Sequence, residues 1–344
     1  MRVYEIEKNK LWKVSIRDSA LAIVDTEGET CQIDDAEIES FHHGDVIEID
    51  DSMRIIKLHD ASEPSALVFI TNQCNSNCIM CPDSEARRMK ENTITTDFLM
   101  EYITLLPSDL MHVDVTGGEP TLLKYDLVRV LEALLKQTEI ADIQMLTNGR
   151  SFAVDSYTKQ FQSVADKRVY IEIPIHASTA AVHDVIAGIP GAFEQTIRGI
   201  RNLLSLPIKV NIRIVVSKLN YQNLTGIVDL IRDRFPQITR INFLGLELMG
   251  NAFHNRQDVW IEYSDIKAPL EECIEYCVSH GFEPKLFNFP LCMFDKKYWY
   301  CYKSSITEHK IRYQPGCDIC GERKDCGGFF ASTLHNTEFK VQPI

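Results

Sequence analysis

Six short runs rich in apolar and β-branched residues, Leu67 to Thr71, Val113 to Thr116, Ile143 to Leu146, Val169 to Ile175, Val210 to Val216 and Ile241 to Leu248, alternate with segments of helical period. The clearest of these segments are Leu127 to Lys136, Phe193 to Leu204, Leu224 to Arg234 and Leu270 to Val278. A strand followed by an amphipathic crossover returns parallel to its neighbour, so the alternation specifies a parallel sheet covered by helices. Six βα units are too few for a closed eight-stranded barrel, which leaves an open partial barrel or a doubly wound sheet. In either fold the chemistry belongs at the C-terminal ends of the strands.

Residues 1–65 follow a different pattern. Short β-rich runs, Leu11 to Ile16, Ala20 to Asp25 and Asp45 to Ile49, are separated by turn chemistry such as Glu27-Gly28, which reads as a small β-type region. The barrel-like core then occupies 66–250, a closing helical segment 251–281 ends at Gly281 as a helix C-cap, and 282–344 form a cysteine-rich extension in which periodicity fades. No strong core-forming element is expected there, so metal is the available staple. His42-His43 precedes Gly44-Asp45 and reads as a solvated loop.

The chain has 344 residues, 45% of them hydrophobic, and a formal charge of −13, enough apolar residue for a full core. The acidic balance argues against a nucleic-acid partner or an anionic membrane surface. No apolar run approaches the roughly 20 residues of a membrane span, and the N-terminal residues lack a secretory signal's apolar core, so a cytosolic protein is expected.

Eleven cysteines without an export signal fit metal ligation better than a disulfide framework. The first cluster, Cys74-Asn-Ser-Asn-Cys78-Ile-Met-Cys81, directly follows the first strand of the αβ region. Three thiolates at C-x-x-x-C-x-x-C spacing hold three corners of a [4Fe–4S] cubane and leave one iron open, as a chelating substrate or cofactor requires. The alternative is a structural zinc knuckle with a borrowed fourth ligand such as His112.

This triplet after a first strand resembles the signature of the radical S-adenosylmethionine (radical SAM) enzymes, with the resemblance spanning about residues 67 to 250. The resemblance implies a partial (β/α)6 TIM-like barrel and an oxygen-sensitive [4Fe–4S] cluster whose open iron binds S-adenosylmethionine. It further implies that an electron from the cluster cleaves the sulfonium to a 5′-deoxyadenosyl radical, in a dry site that the protein supplies. Gly117-Gly118-Glu119-Pro120 ends the second strand, and by the same resemblance Glu119 accepts the methionine ammonium. Thr147-Asn148 end the third strand, and His176 and Ser178 end the fourth as contacts to ribose or carboxylate. For the last two, a packed His176 and a helix N-cap at Ser178 are equally compatible. Arg213 on the fifth strand is a candidate partner of the cofactor carboxylate, an edge-exposed arginine being equally compatible. Met80 stands where the family often has an aromatic and is expected against adenine.

The second cluster, Cys317-x-x-Cys320-x5-Cys326, has Cys292 upstream as its nearest fourth ligand and Cys301 as an alternative. It resembles part of the auxiliary-cluster extension of peptide-modifying radical SAM enzymes, which implies a second [4Fe–4S] cluster, with zinc as the alternative. Leu291-Cys292, Ser304-Ser305-Ile306, Lys310 and the run from Cys317 to Cys326-Gly327-Gly328-Phe329-Phe330-Ala331-Ser332 are similar to the His-Xaa-Ser system maturases, specifically the HxsC group. His183-Asp184, Gly188 and Gly191-Ala192-Phe193 match as well. That resemblance implies a ribosomally made peptide or small protein with His-Xaa-Ser repeats as substrate, a partner maturase, and an electron donor such as flavodoxin or ferredoxin.

Cys273 and Cys277 share one apolar helix face and read as core. Arg87-Arg88-Met89-Lys90 reads as a solvated charge run, and Tyr298 to Tyr302 as aromatics that line a groove or pack the C-terminal lobe.

Overall fold

The computed structural model describes residues 10–17, 20–28, 30–32, 41–49, 54–137 and 139–344. Residues 1–9 lie outside that description. Strands Lys10–Arg17 (β1), Ala20–Val24 (β2), Thr30–Gln32 (β3), Val46–Ile49 (β4) and Ile55–His59 (β5) form an antiparallel sheet in the order β3-β2-β1-β4-β5. Trp12, Val14, Ile23, Ile47 and Ile49 form its buried cluster. His42 is tied into an ion-pair group: its Nδ1 lies 2.8 Å from Asp60 Oδ1, and Lys57 Nζ lies 2.7 Å from Asp45 and 2.9 Å from Asp60. The Lys57 ammonium already serves both carboxylates.

Eight strands build the main parallel sheet: Ser65–Phe69 (β6), His112–Thr116 (β7), Asp142–Leu146 (β8), Val169–Pro174 (β9), Lys209–Val215 (β10), Arg240–Leu244 (β11), Glu283–Phe287 (β12) and Tyr302–Lys303 (β13). Their spatial order is their sequence order. A doubly wound sheet reverses its strand order at a switch point. Here there is no reversal, so right-handed crossovers place the helices on one face, and the fold is the open, partial-barrel α/β type.

The sheet's two faces differ accordingly. Val113 and Val115, Ile143 and Met145, Ile171 and Ile173, and Val210, Ile212 and Ile214 are buried on one face. The alternate positions carry Asp114, Gln144, Glu172, Asn211, Arg213 and Asn242. Period 2 decides this, because successive side chains leave a strand on opposite sides.

β12 and β13 correct the expectation of six strands and of a tail without core. Glu283–Phe287 contains Pro284 and β13 has two residues, too little pattern to read from sequence. Yet Leu286, Phe289, Met293, Tyr298 and Phe329 are buried. At about 1.5–3 kcal/mol per fully buried large apolar side chain, this segment supplies its own packing energy.

The chain packs as two compact units. The first comprises 1–73, 91–146 and 160–170, and holds the antiparallel sheet and β6–β8. Its helix Thr96–Leu105 starts at Thr95, whose hydroxyl accepts the Phe98 amide at 3.1 Å, and buries Leu99, Tyr102, Ile103 and Leu105. The second comprises 74–90, 147–159 and 171–344. There Glu172 links three strands, its carboxylate accepting the side-chain amides of Asn211 at 2.8 Å and Asn242 at 2.7 Å. Among the described residues no helix is long and apolar enough to cross a membrane.

Candidate metal centre and cofactor site

In the first unit, Gly117 and Gly118 follow β7, and their backbone runs against the segment that leads into Cys74. Gly118 N donates to Thr71 O at 2.6 Å, and Glu119 N to Gln73 O at 2.9 Å. A Cβ on Gly118 would meet Gln73 O at 2.2 Å, so only glycine permits this approach. The buried Glu119 carboxylate caps the 3-10 turn Pro120–Leu123, accepting Thr121 N at 3.1 Å and Thr121 Oγ1 at 2.7 Å. His112, weighed as a zinc ligand, lies 3.1 Å from Asp114 on its own strand.

In the second unit the loop carrying Cys74, Cys78 and Cys81 is held at almost every residue. Asn77 N and Ile79 N donate to Ala187 O and Ile186 O at the end of the helix Ala180–Ala187, at 3.1 and 3.0 Å. Gly188, at φ +67°, lets that helix end reach Asn77. From the other side, Asn251 Nδ2 donates to Cys78 O and Asn255 Nδ2 to Ile79 O, both at 3.1 Å. Ala252 N donates to Cys81 O, also at 3.1 Å. Asn148 Nδ2 donates to Asn75 Oδ1 at 2.6 Å, and Arg150 donates to Asn75 O and to Ser76 Oγ.

Burial pushes the Cys78 thiol up to about 12, and neighbouring Cys81 and Cys74 add to the shift. Burial likewise raises Cys81, against hydrogen bonding to Asp83 and the Arg88 charge. Such thiols ionise when a metal takes the proton's place. Among the described residues the sulfurs of Cys74, Cys78 and Cys81 do not all come within 4.8 Å of one another. Two sulfurs on one zinc are at most twice the Zn–S distance of about 2.3 Å apart. A cubane, which takes one thiolate per corner, sets no such limit.

Met80 is buried with Ile186, Leu246, Leu248, Ala252 and Val259 in an apolar cluster. Thr147 Oγ1 accepts Gly149 N at 3.1 Å. Ser178 Oγ accepts Asn223 Nδ2 at 2.7 Å, and the N-cap of the helix that follows is Thr179. His176 is buried 4.9 Å from the His183 ring, and its backbone N donates to His183 Nδ1 at 3.2 Å. Burial holds His176 well below the usual imidazole range, with the neighbouring His183 adding to the effect, and burial takes His183 to about 4. Arg213 pairs in register with Asn242 on the polar face of the sheet.

Cys292, Cys317, Cys320 and Cys326 line one cavity, partly open to solvent, together with Tyr313 and residues 341–344. Leu291 N and Gly328 N point at Cys326 Sγ, at 3.3 and 3.4 Å. Cys301 does not line it: fully buried, it donates its thiol to Tyr298 O at 2.9 Å. Tyr298 packs with its hydroxyl on Glu275, Tyr302 bridges Phe289 O and Gly327 N, and Tyr300 is exposed.

Sequence reading missed the loop's clamps. Arg88, read within a solvated charge run, is only 7% exposed. The other clamp comes from Asn251 in the short helix Gly250–His254 and from Asn255, the residue that ends it.

Residues 68–231 match the model of the Radical SAM superfamily, and the chain carries a radical SAM domain over them. It is 26% identical over 165 residues to an AdoMet-dependent heme synthase of Methanosarcina barkeri, covering 48% of this chain and 46% of that protein. It is 28% identical over 211 residues to a probable GTP 3',8-cyclase of Saccharolobus islandicus, covering 60% and 63%. The chain thus spans about half to two thirds of these relatives. The fold is similar to SuiB of Streptococcus suis, solved with its precursor peptide SuiA, at TM-score 0.53 and 15% identity over 65% of this chain and 48% of that one. It is similar also to the FeFe-hydrogenase maturase HydG of Carboxydothermus hydrogenoformans, at TM-score 0.53 and 9% identity over 71% and 59%.

Proposed function

We propose that this chain is a radical SAM enzyme that reductively cleaves S-adenosylmethionine and modifies a ribosomally made peptide. The observation that carries the reading is the clamped loop: three thiols after the first strand of an open parallel barrel, on a backbone held by hydrogen bonds at Asn77, Cys78, Ile79 and Cys81. When bound by Cys74, Cys78 and Cys81, a [4Fe–4S] cluster supplies the electron that releases a 5′-deoxyadenosyl radical. Gly117, Gly118, Glu119 and Pro120 seat the methionine end, while Thr147, Asn148, His176, Ser178 and Arg213 border the nucleoside and carboxylate. Neutral His176 and His183 keep charge out of that wall. Cys292, Cys317, Cys320 and Cys326 hold a second [4Fe–4S] cluster.

Similarity of the tail to the HxsC group supports a substrate with His-Xaa-Ser repeats, a partner maturase, and flavodoxin or ferredoxin as reductant. The SuiB complex shows a related fold holding a precursor peptide. A second reading, chemistry on a small molecule, is favoured by the heme synthase and cyclase relatives.

The test is anaerobic reconstitution of wild type and Cys78→Ala, with iron counted and 5′-deoxyadenosine measured after dithionite. About eight irons in wild type, about four in the variant and no cleavage by the variant are expected. Product from GTP but from no His-Xaa-Ser peptide would favour the small-molecule reading. Iron-loaded wild type that cleaves nothing would overturn both.

A further inference from the structure

Arg88 lies in the stretch after Cys81 and is 7% exposed, whereas Arg87 beside it is exposed. Arg87 takes the Asp83 carboxylate at 2.9 Å. Arg88 turns inward, donating to the Asp83 backbone carbonyl at 3.3 Å and to Asn77 Oδ1, which also accepts Asn251 Nδ2 at 3.1 Å. Both acceptors are neutral. Among the described residues no carboxylate lies within ion-pair distance of Arg88. A buried guanidinium without an anion is costly, because the hydration it loses is not replaced by an opposite charge. The guanidinium is thereby fastened against the cysteine loop, at Asn77 between Cys74 and Cys78 and at Asp83 two residues past Cys81.

We infer that Arg88 is the buried counter-ion of the metal group held by Cys74, Cys78 and Cys81, and that its charge sets how readily that group accepts an electron. This rests on the reading of the triplet as a cluster site. Three thiolates make the loop anionic once metal is bound, and gaining an electron adds one further negative charge. A fixed cation stabilises the reduced form more than the oxidised one and so raises the reduction potential. The fork of the guanidinium, fastened to Asn77 between Cys74 and Cys78 and to Asp83 beyond Cys81, holds the charge in place across the loop. Arg88 is therefore a positioning residue.

The test compares reconstituted wild type, Arg88→Gln, Arg88→Lys and Arg87→Gln. Iron content is measured, and the potential is read by EPR-monitored titration with dithionite of the signal that S-adenosylmethionine perturbs. Arg88→Gln should shift the midpoint downward, Arg88→Lys should recover most of the shift, and Arg87→Gln, with the same loss of charge, should leave it unchanged. An unchanged midpoint in Arg88→Gln, or an equal shift in Arg87→Gln, overturns the inference. If Arg88→Gln takes up no cluster, iron restored in Arg88→Lys supports a requirement for charge, and iron absent there overturns the assignment. Wild type without the perturbed signal would sink the cluster reading itself.

Discussion

The carbonyl of Gln73, the residue before Cys74, accepts the backbone amide of Glu119 at 2.9 Å. The Gly-Gly-Glu strap is thereby fastened to the backbone that delivers the first cysteine. Its glycines are required by protein packing before any ligand is considered.

Gly118→Ala should therefore destabilise the fold and loosen the approach to Cys74. The added Cβ would stand 2.2 Å from Gln73 O, a backbone atom that cannot swing aside. A cost of about 1–3 kcal/mol is expected, as for overpacking in cores. Urea unfolding of the apoprotein measures it, and an unchanged midpoint would refute the packing account.

Asn251→Ala should weaken the hold on the cluster loop. It removes the donor to Cys78 O and Asn77 Oδ1 and the acceptor for Glu85 N at 3.1 Å. Leaving such partners unpaired costs about 1–3 kcal/mol. Hydrogen exchange should show faster amide exchange across residues 77–85, with little change in the antiparallel sheet.

His183 gives a pH dependence with a definite sign. Burial lowers its pKa from 6.5 to about 4, so between these values the unfolded chain binds the proton and the folded chain does not. Stability is fully present above pH 6.5, declines as pH falls toward about 4, and levels off below. The single-site contribution is at most about 3 kcal/mol. His183→Gln should flatten this part of the profile, and an equally steep decline in the variant would exclude His183 as its source.

Cys301→Ser should retain the auxiliary metal, and Cys320→Ser should lose it. Cys301 is turned to Tyr298 O, while Cys320 lines the four-cysteine cavity. Metal analysis separates the two, and loss of metal in Cys301→Ser would reassign the fourth ligand.

The six strands with strong β-branched patterning were legible because hydrophobic spacing alone defines them. β12 and β13 were not, since a proline and a length of two residues leave no period to read. The cysteine spacings announced two groups, but which of Cys292 and Cys301 joins the second depends on a turn between them that local sequence does not encode. Arg88 was misread because a charge beside Arg87 and Lys90 reads as solvated, and only the distant Asn251, sharing Asn77, reveals the enclosed side of the loop.

The clamps on the cysteine loop come from far along the chain, Ala187 on one side and Asn251 and Asn255 on the other. A ribosome that has just released Cys81 must add roughly 170 more residues before Asn255 emerges, on the order of ten to thirty seconds at usual elongation rates. For that interval three thiols sit on an unfinished chain, open to oxidants and stray ions. The hydrogen bonds that hold the ligand loop are therefore complete only after Asn255 has been made.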